Sequence, residues 1–101
     1  MKINVIAKRT DSGFYSTSVS NSLKNLQNFV GGHIEAVTIR DHHLGNYVII
    51  CNDEGKINSC KYNCTLYGEP FFGDILIVGV KGDEFSDVPF GLNDFKEHVI
   101  G

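Results

Sequence analysis

Apolar and polar residues alternate at the start of the chain, where "KINVIAK" sets Ile3, Val5 and Ala7 on one face and Asn4, Ile6 and Lys8 on the other. A repeat of two marks a β-strand, because successive side chains of extended backbone leave on opposite sides. "TDSG" then supplies turn chemistry, since Asp and Ser side chains bond back to nearby backbone. "FYSTSVS" returns as the second strand of an amino-terminal hairpin. The period changes after it. Leu23, Leu26, Phe29 and Val30 recur at the spacing of one helical face, with Ser20 and Asn21 as capping candidates. Gly31 suits the left-handed position that closes a helix, where a β-carbon is penalised, and Gly32 lets the chain reverse into a strand.

"HIEAVTIRD" and "NYVIICND" flank "HHLG" and predict an antiparallel hairpin. Val48, Ile49 and Ile50 are apolar in succession, which predicts a central strand buried on both faces. Asp53 to Gly55 reads as a tight turn. "KINSCKYNCTLYGEPFFG" has weak periodicity with Gly68 and Pro70 as breakers, and predicts a short helical turn inside an irregular connection. "DILIVGVKG" is the strongest strand of the chain. A loop and a short helix from about Leu92 to Val99 end it. The expected fold is α+β: one domain over residues 1–101, a mostly antiparallel sheet of about five strands, one amphipathic helix and a short carboxy-terminal helix.

Composition narrows the function classes. A chain of 101 residues supports one core, and 42% hydrophobic with 21% charged residues is a globular balance. The net charge of -3 provides no basic field for a phosphate backbone, which disfavours direct nucleic-acid binding. There is no apolar run long enough to span a membrane, and the amino terminus alternates where a signal peptide would be uniformly apolar, so the expected location is the cytoplasm. Cys51, Cys60 and Cys64 are odd in number and read as free thiols.

Several constellations bear on chemistry. His42, His43, Cys60 and Cys64 contain zinc-ligand types, but Cys60 and Cys64 are three residues apart and the histidines lie on another loop, so the pattern reads as solvated histidines and small thiols. Nothing around the cysteines marks a base that would activate a nucleophile, and Cys51 ends a buried strand. The glycines follow a helix, whereas a phosphate-cradling loop precedes one. No catalytic residue, metal or cofactor is therefore assigned. Carboxylates gather at Asp53-Glu54 and at Asp83, Glu84 and Asp87, and aromatic rings are numerous. Tyr62, Tyr67, Phe71 and Phe72 fall in the irregular segment, where rigid rings favour a binding surface. For a nucleotide signal, "NSCKYNCTLYGE" would wall a pocket, with Tyr62 stacking a base and Lys61, or Lys56 just before the segment, facing phosphate.

Four blocks carry a resemblance to a known family: Val30 to Glu35, Cys51 to Ile57, Gly73 to Gly79, and Gly82 to Val88. The chain resembles small proteins of phages, plasmids and Gram-positive mobile elements that share a domain of unknown function. Asn63 looks like an asparagine the family usually follows with arginine; here Cys64 takes that place, and His33 stands where tyrosine is frequent. The resemblance implies a cytosolic accessory protein, of a kind that often antagonises host defence, and implies no reaction. The expected function is thus non-enzymatic binding, either blocking a defence protein or sequestering a nucleotide-type signal. Exposed tyrosine and phenylalanine would anchor a protein target, while Asp53, Glu54, Asp83 and Glu84 would meet a basic surface. A small metal- or thiol-dependent enzyme and a homo-oligomeric structural subunit are the alternatives.

Overall fold

The structure, a computed structural model, describes residues 1–55 and 60–100. Eight strands and two helices follow in the order β1 (Lys2–Lys8), β2 (Phe14–Ser20), α1 (Leu23–Val30), β3 (Ile34–Asp41), β4 (Gly45–Asn52), β5 (Tyr62–Leu66), β6 (Glu69–Phe72), β7 (Ile75–Lys81), β8 (Glu84–Ser86) and α2 (Leu92–Phe95). A π-helical turn, Lys96–Ile100, continues α2. The α+β, mostly antiparallel expectation holds, and β5, β6 and β8 extend the count beyond five strands.

The main sheet runs β2-β1-β7-β4-β3, with β8 adding to β7, and every pairing is antiparallel. Alternation along β1 becomes two cores. Ile3, Val5 and Ala7 join Leu26 and Val30 of α1 on one face, while Ile6 faces Phe71 of β6 and Phe95 of α2 on the other. Both faces are covered, which is why β4 and β7 read as continuous apolar runs. Ile49, Ile50, Ile75, Leu76, Ile77 and Val78 are fully buried.

Helix α1 is capped by Ser22, one residue beyond the sequence candidates, whose hydroxyl accepts from the Asn25 amide at 3.3 Å. Gly31 closes it at φ 83°, and the Gly31 and Gly32 amides both donate to the Gln27 carbonyl. That pairing satisfies a carbonyl the helix end would otherwise leave free. Gly32 is required for another reason. A β-carbon there would lie 2.9 Å from the side-chain nitrogen of Asn52, a buried amide that donates to the Val30 carbonyl and accepts from the Glu54 amide. The paired glycines let a helix end and a strand end share one amide.

The segment before β7 differs from the sequence reading. Its described part from Tyr62 to Phe72 is a hairpin, β5-β6, turned by Tyr67 (φ 53°) and Gly68 (φ 77°). Two consecutive positive φ values are what a two-residue primed turn demands. Lys56 and Ile57 lie outside the described residues. In β7, Gly79 interrupts an otherwise apolar strand because the backbone carbonyl of Asp87 occupies the space of a β-carbon. The chain after β8 runs back there along β1: the Val88 amide donates to the Asn4 carbonyl, and the Asn4 amide to the Asp87 carboxylate at 2.7 Å. No helix among the described residues is long and apolar enough to cross a membrane.

Candidate functional site

Hairpin β5-β6 lies over the second face of the sheet and leaves a cleft between β6, β3 and the end of β4. The cleft has a volume of about 310 Å³. Strand β3 contributes Glu35 and Val37, β4 ends in it with Cys51 and Asn52, the following turn adds Asp53 and Glu54, and β6 closes it from Glu69 to Phe72. Its floor is apolar, built on the buried Phe71. Its rim is acidic.

The register explains how the carboxylates meet. Glu35 pairs with Cys51 across β3 and β4, so both side chains leave on the cleft face. The Asn52 side-chain oxygen holds the Glu54 amide at 2.9 Å and pins the turn that carries Asp53 and Glu54. The primed turn then delivers Glu69 from the opposite wall. Four carboxylates from three chain segments thus border one opening, and none of them joins an ion pair among the described residues. Cys51 registers three of them: burial first, then the Glu35, Asp53 and Glu69 carboxylates, push its thiol up to about 11. The sulfur lies 3.7 Å from the Glu35 carbonyl oxygen, to which it donates. A thiol raised in this way holds less thiolate, the nucleophilic form, at neutral pH than an ordinary cysteine. Burial also raises Cys64.

Among the described residues no three His, Cys, Asp or Glu side chains are placed to hold one metal ion. His43 instead stacks on His98, ring centroids 4.7 Å apart.

Of the sequence candidates, Asp53, Glu54, Phe71 and Phe72 come together in the cleft. Tyr62 is exposed on β5; its ring meets Phe72 edge-on at 5.8 Å and its hydroxyl pairs with Thr65. Lys61, beside it, is exposed. Asn63 is buried, its amide nitrogen donating to the Lys8 and Gly73 carbonyls, which makes it a tie between β5 and the main sheet, while its side-chain oxygen has no hydrogen-bond partner among the described residues. Tyr67 belongs to another cluster: its hydroxyl donates to Asp41 at 2.7 Å and lies 2.6 Å from that of the buried Tyr47. Asp83 and Glu84 sit at the β7-β8 turn and do not line the cleft, and Asp87 bonds to β1.

Glu35, Cys51 and Glu69 are the titratable cleft residues that sequence reasoning missed. An acid in an amphipathic edge strand, or after a turn, reads as a solvated position; only the pairing of Glu35 with Cys51, inferable from the predicted β3-β4 hairpin, offered a hint.

A family model for a domain of unknown function, DUF3846, matches residues 1–99. The chain belongs to the DUF3846 family. No curated protein and no solved structure matches it. The DUF3846 match spans every element around the cleft, from β3 to β6.

Proposed function

We propose that this DUF3846 protein is a non-enzymatic binding protein whose acidic cleft takes a cationic group of a partner protein. The convergence of Glu35, Asp53, Glu54 and Glu69 on one opening with an apolar floor carries this reading. Carboxylates around a cavity of this size attract a guanidinium or ammonium head, and Phe71, Phe72 and Pro70 offer its methylenes an apolar wall. The same field repels phosphate, which weighs against a nucleotide in this cleft. Burial and the neighbouring carboxylates, which raise the Cys51 thiol, weigh against thiol catalysis in the cleft. In the setting that the resemblance implies, the partner is a host defence protein, and the acidic surface occupies a basic groove that would otherwise hold nucleic acid.

Affinity capture from a defence-bearing bacterial host tests this. The wild-type protein is expected to retain a partner whose affinity falls with salt. The double substitution Asp53→Lys and Glu54→Lys should weaken it by roughly a hundredfold, on the scale of close interfacial charge pairs. The control pair Asp83→Lys and Glu84→Lys should change it little. A partner held equally by both variants overturns the reading. So does native mass spectrometry that finds a small molecule of nucleotide mass retained in place of a protein.

A further inference from the structure

Beside the cleft, β3 ends the main sheet, and no strand pairs with its outer side among the described residues. Its ladder with β4 runs unbroken from Ile34 to Asp41, with no bulge and no proline. The His33 carbonyl accepts from the Asp53 amide at 2.8 Å, one step beyond that ladder and in the same register. Antiparallel pairs alternate between bonded and non-bonded, so the bonds to β4 fall on Glu35, Val37 and Ile39. The amides and carbonyls of Ile34, Ala36, Thr38 and Arg40 therefore point outward along the free edge. An edge that is long and carries a charge only toward its ends is a template for another strand.

The side chains alternate as well. Glu35 and Val37 face the cleft, with Ile39 half-buried on the same face. A strand laid antiparallel along this edge would place one residue opposite Ile39, a second opposite Val37 and a third opposite Glu35, all on the cleft side. We propose that the outer edge of β3 accepts an extended segment of a partner protein as an added antiparallel strand, reading apolar-x-apolar-x-basic, and that its lysine or arginine enters the acidic cleft beside Glu35. The proposal rests on the acidic-cleft reading and adds a mode of capture to it. A second copy of the chain is the poorer occupant. A two-fold axis pairing β3 with β3 keeps both acidic clefts on one face of the joined sheet, where like charges oppose assembly.

The register fixes the test. In the added strand, the amides of the x residues face β3, and those of the apolar and basic residues face away. The probe is a short synthetic peptide of sequence Val-Thr-Val-Thr-Lys with blocked ends, titrated into the protein by calorimetry. N-methylation of the threonine amides is expected to weaken binding roughly tenfold or more, and N-methylation of the second valine amide to leave it nearly unchanged. Thr38→Pro, which removes an outward amide at an edge that tolerates proline, should weaken binding similarly with the fold retained by circular dichroism. Peptide binding that ignores N-methylation and Thr38→Pro, yet is lost with Asp53→Lys and Glu54→Lys, overturns strand addition and leaves the cleft reading standing. Binding indifferent to the charge reversal overturns both, and absence of peptide binding overturns strand addition. A dimer in sedimentation that Thr38→Pro dissociates assigns the edge to a second copy and likewise overturns it.

Discussion

Gly32 and Asn52 are twenty positions apart in sequence and meet at a side-chain nitrogen 2.9 Å from where a β-carbon on Gly32 would stand. Gly32→Ala must push that amide away from the Val30 carbonyl and should cost about 1–3 kcal/mol. Asn52→Ala leaves the Val30 carbonyl and the Glu54 amide without their partner, a loss of about 1–3 kcal/mol. Because the two share one cause, the double variant should be less destabilised than the sum of the singles by about 1 kcal/mol, measured by urea denaturation. Additivity would show that the two residues do not act on each other. The helix-closing role of Gly31 was legible in sequence because it depends on local backbone alone, and its φ of 83° agrees. The need for glycine at position 32 was not legible, since Asn52 arrives from another element.

At the scale of elements, the tip of β5-β6 is fastened to the β3-β4 turn by Tyr67 and Asp41. Asp41 accepts from the His43 and Leu44 amides as well as from the Tyr67 hydroxyl. The Leu44 amide, the Tyr67 hydroxyl and the His43 amide hold its carboxylate down to about 2, from an ordinary value of 3.8. Burial, and then the same cluster, push the Tyr67 phenol up, so it stays a donor at any physiological pH. A depressed carboxylate contributes stability above its unfolded value, and that contribution is lost as pH falls from about 3.8 through about 2. Because Asp41 lies at the surface, screening limits its worth to on the order of 1 kcal/mol. Asp41→Asn should flatten the acid limb of stability in that window, and thermal melts at stepped pH would check it; an unchanged acid limb would remove Asp41 from the account. The fastening also holds Tyr67 at a φ that costs an aromatic residue about 1–2 kcal/mol. The hairpin escaped the sequence reading because Gly68 and Pro70 look like breakers. In fact Gly68 makes the turn, and Pro70 sits in an edge strand, where its missing amide does little harm.

For the whole molecule, one sheet supports two cores, so damage on either face should be felt throughout. Phe95 is fully buried, 5.0 Å from the Phe14 ring and 6.0 Å from that of Phe90. Phe95→Ala should cost about 3–5 kcal/mol, a large share of the stability of a domain this size. Circular dichroism and tyrosine fluorescence should still report one coincident unfolding transition, whereas separate transitions would mean that the two faces fold independently. Alternation and helical period were sufficient to assign the β1-β2 and β3-β4 hairpins, the apolar faces of β1, the helix and the burial of β4, because each depends on neighbours within a few residues. Strand order, the hairpin lid and the meeting of Glu35, Asp53, Glu54 and Glu69 were decided by tertiary structure. Periodicity says which face a side chain takes but not which distant strand will lie beside it, and β7 reaches the centre of the sheet between β1 and β4 only when the whole chain has closed around it.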